Sequence, residues 1–213
     1  MILSITSLKG GVGKSSITIN LAVCFSSAGY KTCILDSDIN GSVVYWSKNR
    51  SRDLSKINVL AVNESTILQT ISEINNDYDV ILIDGTPSIT GIASKLILLA
   101  DLLLIPIGVS MLDYNASKVF LEEVKKAENK KGKIPTYYII NKYKPTTLIA
   151  REFKTFLEST EIKSLTNTIN DRIIYPTSIM DGIGVIESQD SKAKAEFSSL
   201  FFEILNIIKN GNK

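Results

Sequence analysis

A glycine-rich stretch near the start of the chain constrains the fold more than any other feature. Residues 9–15 read Lys-Gly-Gly-Val-Gly-Lys-Ser, between an apolar run at residues 2–6 and a helix-forming segment that Gly29 ends. Glycines allow a backbone to curl tightly, so that its amide groups can face a common centre without Cβ clashes. We therefore predict a strand, a tight loop and a helix, in that order, over residues 2–28 as the first unit of an α/β domain.

Apolar runs and helix-forming stretches alternate along the rest of the chain. Because the apolar runs are apolar on both faces and are separated by helices, they indicate a parallel sheet covered on both sides. The fold class predicted is α/β, with a single doubly wound, mostly parallel sheet flanked by helices, in one domain over residues 1–213. Further strands are predicted at residues 32–35, 57–62, 79–83, 102–107 (closed by Pro106) and 136–140, and helices at 42–49, 67–75, 92–99, 115–130, 148–158 and 192–209.

The composition excludes several kinds of chemistry. The chain has no histidine, which removes Ser-His-Asp catalysis and histidine-based metal sites. Cys24 and Cys33 lie in apolar surroundings and are interpreted as reduced core residues of a cytosolic protein. A net charge of +2 creates no global basic field. Since no apolar run reaches the about 18 residues of a membrane span and no signal-peptide pattern is present, we expect a cytoplasmic protein without stable membrane insertion.

The glycine-rich loop has the chemistry of a phosphate site. Its amides and the N-terminal end of the following helix both attract an anion, because helix N-termini carry a partial positive charge. Lys14 can reach the β- and γ-phosphates of a nucleotide, and the Ser15 hydroxyl can ligate Mg²⁺. The residues predicted to bind the nucleotide here are Lys9, Gly10, Gly11, Val12, Gly13, Lys14, Ser15 and Ser16.

Carboxylates follow two of the predicted strands. Asp36 and Asp38 come just after the second strand, and Asp84 comes after the fourth. Ligands bind at the carboxyl ends of strands in open α/β sheets, where carboxylates can hold a metal ion and orient a water molecule. Asp84 is expected to hold a metal-bound water, with Gly85 and Thr86 forming a turn that senses the γ-phosphate. The structural alternative for Asp36 and Asp38 is that they cap a helix and form a turn.

The loop also departs from the ordinary G-x-x-x-x-G-K-[ST] pattern, because Leu8 stands at the first glycine and Lys9 follows it. In this respect it resembles the deviant Walker A loop of the ParA/MinD family of P-loop ATPases. The resemblance implies a P-loop NTPase fold, ATP and Mg²⁺ as cofactors, and weak intrinsic ATP hydrolysis in which Lys9 and Lys14 take part. It implies further that Lys9 reaches the partner subunit's nucleotide in a homodimer formed on ATP binding. The alternative for Lys9 is a solvated loop lysine.

Residues 36–40 resemble the family's Asp-x-Asp-Pro-Gln motif, although Ile39 and Asn40 stand in place of Pro-Gln. The match implies that Asp38 positions the hydrolytic water and that Asp36 lies close to the metal. Asn141, at the end of the last predicted strand, matches a residue that contacts adenine in the family, and a turn-forming asparagine is the alternative. The predicted metal site therefore comprises Ser15, Asp36 and Asp84.

Residues 169–182 and 45–48 are similar to stretches of short plasmid-partition ATPases, in which a residue such as Arg172 lies near the dimer or DNA-facing surface. The function that the resemblance implies is DNA partition. ATP closes a dimer, the dimer binds DNA non-specifically at the nucleoid, and a centromere-binding ParB-like adaptor stimulates hydrolysis. Because the chain begins almost at the phosphate loop, the helix-turn-helix extension of longer relatives is not expected.

Two other functions compete with DNA partition. A MinD-like membrane-cycling ATPase needs a terminal amphipathic helix with a cationic face, but residues 197–209 carry few lysines and are interpreted as a core helix. An amide-forming synthetase needs a substrate pocket that the sequence does not identify. The basic clusters at residues 125–133 and 142–154 are interspersed with glutamates. Solvated helix faces are therefore the default interpretation of these clusters, and contacts to DNA phosphates are the alternative.

Overall fold

The computed structural model describes residues 1–87 and 91–211. Over this part of the chain, a six-stranded sheet is flanked by eight α-helices. The strands are β1 (Ile2–Ile5), β2 (Thr32–Asp36), β3 (Asn58–Ala61), β4 (Val80–Asp84), β5 (Leu102–Ile107) and β6 (Thr136–Ile140). The helices are α1 (Lys14–Ser27), α2 (Ser42–Asn49), α3 (Ile67–Ile74), α4 (Gly91–Leu99), α5 (Met111–Lys131), α6 (Leu148–Glu158), α7 (Ile174–Met180) and α8 (Ser191–Gly211), with a 3₁₀ turn at Val185–Glu187.

The strand order is β3-β2-β4-β1-β5-β6, and every neighbouring pair is parallel. The predicted doubly wound, mostly parallel sheet is therefore confirmed. β1 lies inside the sheet between β4 and β5. Asp84 pairs in register with Ile5 on one side and with Asp36 on the other. The carboxyl ends of β1, β4 and β2 thus lie side by side, and the polar residues that follow these strands meet at one edge.

Both faces of the sheet are buried because successive side chains of each strand point to opposite sides. Leu82 belongs to the apolar cluster that contains the buried residues of α1 and α8, whereas Ile81 and Ile83 belong to a cluster on the other face. A further cluster joins β5 and β6 to α5 and α6. The strands therefore read as continuous apolar runs rather than alternating ones, as expected for a parallel sheet covered on both sides.

Several boundaries differ from the predicted ones. α5 begins at Met111 instead of residue 115, because the Ser110 hydroxyl accepts hydrogen bonds from the backbone of Leu112 and Asp113 and starts the helix earlier. Pro106 lies inside β5, where it pairs in register with Ile139, and does not close the strand. α7 was not predicted. It carries Pro176 in its first turn, where a missing N–H costs no helical hydrogen bond.

No helix in residues 1–87 and 91–211 combines the length and the apolar character needed to cross a bilayer. Cys24 and Cys33 are buried free thiols, as the sequence indicated.

Candidate active site

A cavity of about 950 Å³ opens at the carboxyl edge of the sheet. Its size falls in the range typical of small-molecule sites. One wall is the glycine-rich loop with the first turn of α1, and the opposite wall is the segment from residue 170 to residue 179. The lining residues are Gly10, Gly11, Gly13, Lys14, Ser15, Ser16, Asp38, Asn40, Ser42, Pro87, Asn141, Lys142, Asn170, Asp171, Arg172, Ile173, Tyr175, Pro176 and Ile179.

The glycine-rich loop leaves the N-terminus of α1 open toward this cavity. Gly13 occupies the N-cap position with φ 97°, and no side chain caps the helix. Gly11 is also left-handed, with φ 75°. A Cβ at residue 13 would overlap the Asn141 amide nitrogen, so glycine is required there both for the dihedral angle and for space. The uncapped amides of the first helical turn are therefore available to an anion.

Lys14 begins α1 and is only 7% exposed. Its ammonium group donates a hydrogen bond to the Lys9 carbonyl oxygen at 3.1 Å. Burial lowers the pKa of Lys14, and the nearby carboxylates of Asp84 and Asp38 oppose that shift. The Lys14 ammonium group is thus held by the backbone of the loop and attracted by two acidic neighbours, in a position suited to a phosphate.

Asp84 is fully buried at the end of β4. It accepts hydrogen bonds from the Ser15 hydroxyl at 2.6 Å and from the Thr18 hydroxyl at 3.1 Å. Burial raises the pKa of Asp84 to about 7, against the opposing effect of those two hydrogen bonds. The structure thereby brings together Ser15 and Asp84, two of the three residues predicted to form the metal site. Thr18 was not predicted, since a threonine inside a helix carries no sequence signal for such a contact.

Asp36 has a different set of partners. Its carboxylate accepts backbone hydrogen bonds from Asp38 at 3.1 Å, Val43 at 3.0 Å and Val44 at 3.1 Å. It therefore caps the start of α2, in agreement with the structural alternative for this residue. Burial raises the pKa of Asp36, and the three hydrogen bonds counteract this. A metal role for Asp36 stays a prediction, and these contacts give it a structural role in addition.

Asp38 is half-buried and lines the same cavity as the loop. One of its carboxylate oxygens accepts hydrogen bonds from the backbone and side-chain nitrogens of Asn40, at 3.0 and 2.9 Å. Asn40 stands where glutamine is usual in the resembling motif, and here it orients Asp38 locally. The other carboxylate oxygen makes no hydrogen bond within the described residues, so it is available to a ligand in the cavity.

Asn141 lies at the end of β6, but its side chain reaches the loop backbone. Its amide nitrogen donates to the Val12 carbonyl at 2.7 Å, and its amide oxygen accepts from the Lys142 backbone at 2.9 Å. The Lys142 ammonium group donates to the Gly11 carbonyl at 3.0 Å. The predicted adenine contact of Asn141 stays a prediction. The contacts present join β6 to the phosphate loop.

The opposite wall of the cavity was not predicted as part of the site. Glu196 of α8 organises it: one carboxylate oxygen accepts from the Asn170 backbone and from the Tyr175 hydroxyl, both at 2.8 Å. The other oxygen accepts from Arg172 at 3.2 Å. Arg172 is thus paired within its own chain at the cavity wall. These partners lie 21 to 26 residues apart along the chain, too far for a local motif to reveal.

A buried ion pair ties α2 to the segment that follows α7. The Arg50 guanidinium contacts the Glu187 carboxylate with both terminal nitrogens, at 2.6 and 2.9 Å. It also lies 5.1 Å from the centre of the Trp46 ring. Trp46 in turn donates to the Ile183 carbonyl. We call this group of contacts the α2 clasp. It fixes the elements on either side of the cavity relative to each other.

The predicted residues fit a magnesium-bound nucleotide. Nowhere in the described residues do three His, Cys, Asp or Glu side chains gather into a site able to hold a metal by themselves. Mg²⁺ commonly takes one or two protein oxygens and draws its remaining ligands from phosphates and water. Ser15 and Asp84, beside an uncapped helix N-terminus and Lys14, form a donor set of that kind.

The basic clusters are partly ion-paired. Four of their nine basic residues lie within 4 Å of an acidic side chain: Lys125, Lys126, Lys133 and Lys144. These four agree with solvated, ion-paired surfaces, the default interpretation, whereas the other five form no ion pair within the described residues. Lys9 is different: it is exposed, and its ammonium group makes no hydrogen bond within residues 1–87 and 91–211.

Comparison with known proteins places these features in context. A family model described as the CobQ/CobB/MinD/ParA nucleotide binding domain matches residues 3–185. The maintenance of carboxysome distribution protein A of Halothiobacillus neapolitanus is 24% identical over 207 residues, which cover 95% of each chain.

Two solved structures share the fold. A putative plasmid partition protein from Borrelia burgdorferi B31 bound to AMPPNP has a TM-score of 0.76 at 19% identity, covering 96% of this chain and 98% of that one. A cobyrinic acid a,c-diamide synthase from Mycobacterium smegmatis with an ATP analogue and magnesium has a TM-score of 0.81 at 15% identity, covering 99% of this chain and 96% of that one. At these identities the likenesses show the P-loop NTPase-like fold.

Proposed function

The chain belongs to the CobQ/CobB/MinD/ParA nucleotide-binding family, and from this premise we propose that it is a ParA-type ATP hydrolase for DNA partition. It binds ATP with Mg²⁺, forms a homodimer on ATP binding, and then binds DNA non-specifically at the nucleoid. A centromere-binding ParB-like adaptor stimulates hydrolysis. The observation that carries the proposal is the cavity lined by Lys14, Ser15 and Asp38 at the open N-terminus of α1, with the buried Asp84 carboxylate accepting a hydrogen bond from Ser15.

Each part of the site has a stated task. The loop amides and Lys14 bind the phosphates, and the low exposure of Lys14 strengthens that attraction. Ser15 and Asp84 would hold Mg²⁺, which would supply positive charge to neutralise the phosphates. The free oxygen of Asp38 accepts a hydrogen bond from a water molecule and orients it toward the terminal phosphate. Asp36 holds the start of α2, and with it the loop that carries Asp38.

Lys9 is assigned to the dimer. The chain's own nucleotide cavity is lined by neighbouring loop residues, whereas Lys9 is exposed beside it with an ammonium group that contacts no acceptor in the described chain. An exposed cation next to a phosphate site gains the most electrostatic attraction when a second nucleotide approaches from outside. A second copy of the chain, bound face to face, would bring such a nucleotide.

The MinD-like alternative is less well supported by α8. Phe197, Leu200 and Ile204 are fully buried against the sheet, so the apolar face of this helix is already occupied. A membrane-binding helix needs that face free to enter the lipid surface.

The test uses three variants and light scattering, calorimetry and DNA retention. Lys14→Ala should abolish ATP affinity. Asp38→Ala should keep ATP binding but slow hydrolysis, so that the dimer persists. Lys9→Ala should keep monomer binding of ATP but weaken the ATP-dependent dimer. Lys56→Ala is the matched control, because Lys56 is an exposed lysine that precedes β3 and so lies at the opposite edge of the parallel sheet.

The outcomes separate the parts of the proposal. An absence of magnesium-dependent ATP uptake by the unmodified protein would overturn the whole of it. Full dimerisation of Lys9→Ala would remove only the dimer assignment. ATP-dependent pelleting with anionic vesicles, and no ATP-dependent DNA retention, would replace DNA partition with membrane cycling.

A further inference from the structure

Two consecutive residues after β6 contact two consecutive carbonyls of the phosphate loop. Asn141 donates to the Val12 carbonyl at 2.7 Å, and Lys142 donates to the Gly11 carbonyl at 3.0 Å. The Asn141 side chain is 7% exposed, and that of Lys142 lies at the surface. Neither contact is needed to pair Asn141 with β5, because its backbone N–H already donates to the Ile107 carbonyl at 2.8 Å.

The two contacts set the direction of the loop amides. In a trans peptide unit the C=O and N–H bonds point to opposite sides. The Gly11 carbonyl shares a peptide unit with the Val12 amide, and the Val12 carbonyl shares one with the Gly13 amide. Since both carbonyls are held toward β6, the Val12 and Gly13 amides point to the other side of the loop, away from β6.

The backbone at Lys142 adopts an uncommon conformation. Among the described residues, Lys142 is the one non-glycine with positive φ, at 54°. Such a conformation persists only where surrounding contacts hold it. The neighbouring backbone is held by hydrogen bonds from Asn141 to the Ile107 carbonyl and from Tyr143 to the Ile169 carbonyl. The Asn141 amide oxygen on the Lys142 backbone and the Lys142 ammonium on Gly11 add to these bonds. The missing Cβ at Gly13 leaves room for the Asn141 amide.

We infer that Asn141 and Lys142 are positioning residues for phosphate binding, which orient the Val12 and Gly13 amides before a nucleotide arrives. The inference rests on the proposed nucleotide binding. It assigns Asn141 a task distinct from an adenine contact, and it gives Lys142 a task that its sequence position did not indicate. Because the Asn141 contact is buried and the Lys142 contact is exposed, we expect Asn141 to contribute more to nucleotide affinity than Lys142 does.

The two possible tasks of Asn141 differ in what they do to ligands with and without phosphates. A positioning role weakens ADP and leaves adenosine unchanged, whereas a contact to adenine weakens both by the same factor. Asn141→Leu removes the amide without changing charge. We expect it to weaken Mg-ADP binding about tenfold, the effect of losing one buried hydrogen bond. Adenosine affinity, measured by ligand-observed NMR, should stay within about twofold.

Lys142→Met is the second variant, since an exposed substitution does not depend on repacking the core. It should weaken Mg-ADP about threefold in 0.5 M NaCl, where distant charge effects are screened. The matched control is Lys154→Met, which removes a lysine contact to the Thr166 carbonyl at 2.7 Å outside the cavity and should leave ADP affinity unchanged. Thermal melts without nucleotide show whether each variant is folded.

Equal losses for adenosine and ADP in Asn141→Leu would overturn the inference in favour of a base contact. If Asn141→Leu does not fold, an unchanged ADP affinity of Lys142→Met would overturn the inference. If the unmodified protein binds no ADP, the proposed function fails first. If it binds ADP normally and the variants match it, only the positioning role is refuted.

Discussion

Removing the charge of Glu187 should destabilise the protein strongly, because it leaves the Arg50 guanidinium buried without a counter-charge. The side chains of Arg50 and Glu187 are only 6% and 14% exposed. Arg50 also donates to the carbonyls of Gly182 at 3.2 Å and Ser55 at 3.1 Å, so it cannot turn out to solvent without losing these contacts as well. Glu187→Gln keeps the shape of the side chain, removes its charge and replaces one accepting oxygen with an NH₂ group, which cannot accept a bond from Arg50.

The expected magnitude follows from this burial. Breaking a buried ion pair by removing one partner costs about 3–5 kcal/mol of unfolding free energy. For a chain of this size that corresponds to a melting temperature lower by about 10 °C. The double variant Arg50→Met with Glu187→Met removes both charges together, so it should recover part of the loss, and the two single effects should not add.

Urea unfolding of nucleotide-free protein, followed by circular dichroism, measures these differences. The matched control is Glu122→Gln, whose ion pair with Lys125 spans 3.8 Å with side chains that are 68% and 48% exposed. That variant should change the unfolding free energy by less than about 1 kcal/mol. If Glu187→Gln costs no more than Glu122→Gln, the α2 clasp does not stabilise the fold, and the reasoning from burial is refuted.

Three more outcomes are expected. Gly13→Ala should lower the unfolding free energy by about 1–3 kcal/mol, because residue 13 has a φ of 97° and its new Cβ would overlap Asn141. Gly10 has open space around it, so Gly10→Ala should change the unfolding free energy by less than about 0.5 kcal/mol in the same urea titration. Asp36→Ala should destabilise metal-free protein by about 1–3 kcal/mol, since three backbone N–H groups lose their acceptor; a gain in stability would instead indicate that the carboxylate serves only a metal. Burial raises the pKa of the Cys24 and Cys33 thiols to about 12, so folded protein at pH 8 should react with a thiol reagent no faster than it unfolds, and rapid labelling would contradict their burial.

Apart from α7 and the 3₁₀ turn, the succession of strands and helices along the chain followed from local patterns. Residues 102–107 and 136–140 are apolar runs of strand length, and they form β5 and β6 with the predicted bounds. The loop at residues 9–15 could be located because glycine, lysine and serine each act there through their own backbone or side chain. Carboxyl ends of parallel strands meet at one edge of a sheet. An aspartate after an apolar run, in a parallel sheet, was therefore expected near the loop, and Asp84 lies there.

The fold class, the phosphate loop and the carboxylates near it could thus be predicted from local patterns, because short-range periodicity and steric freedom are properties of neighbouring residues. The acceptors that Asn141 and Lys142 reach could not be predicted in this way, since their partners lie about 130 positions away along the chain. The same holds for Glu196 and the far wall of the cavity. Such contacts depend on how helices pack over a sheet, and no local pattern encodes which side chains that packing brings within hydrogen-bond distance.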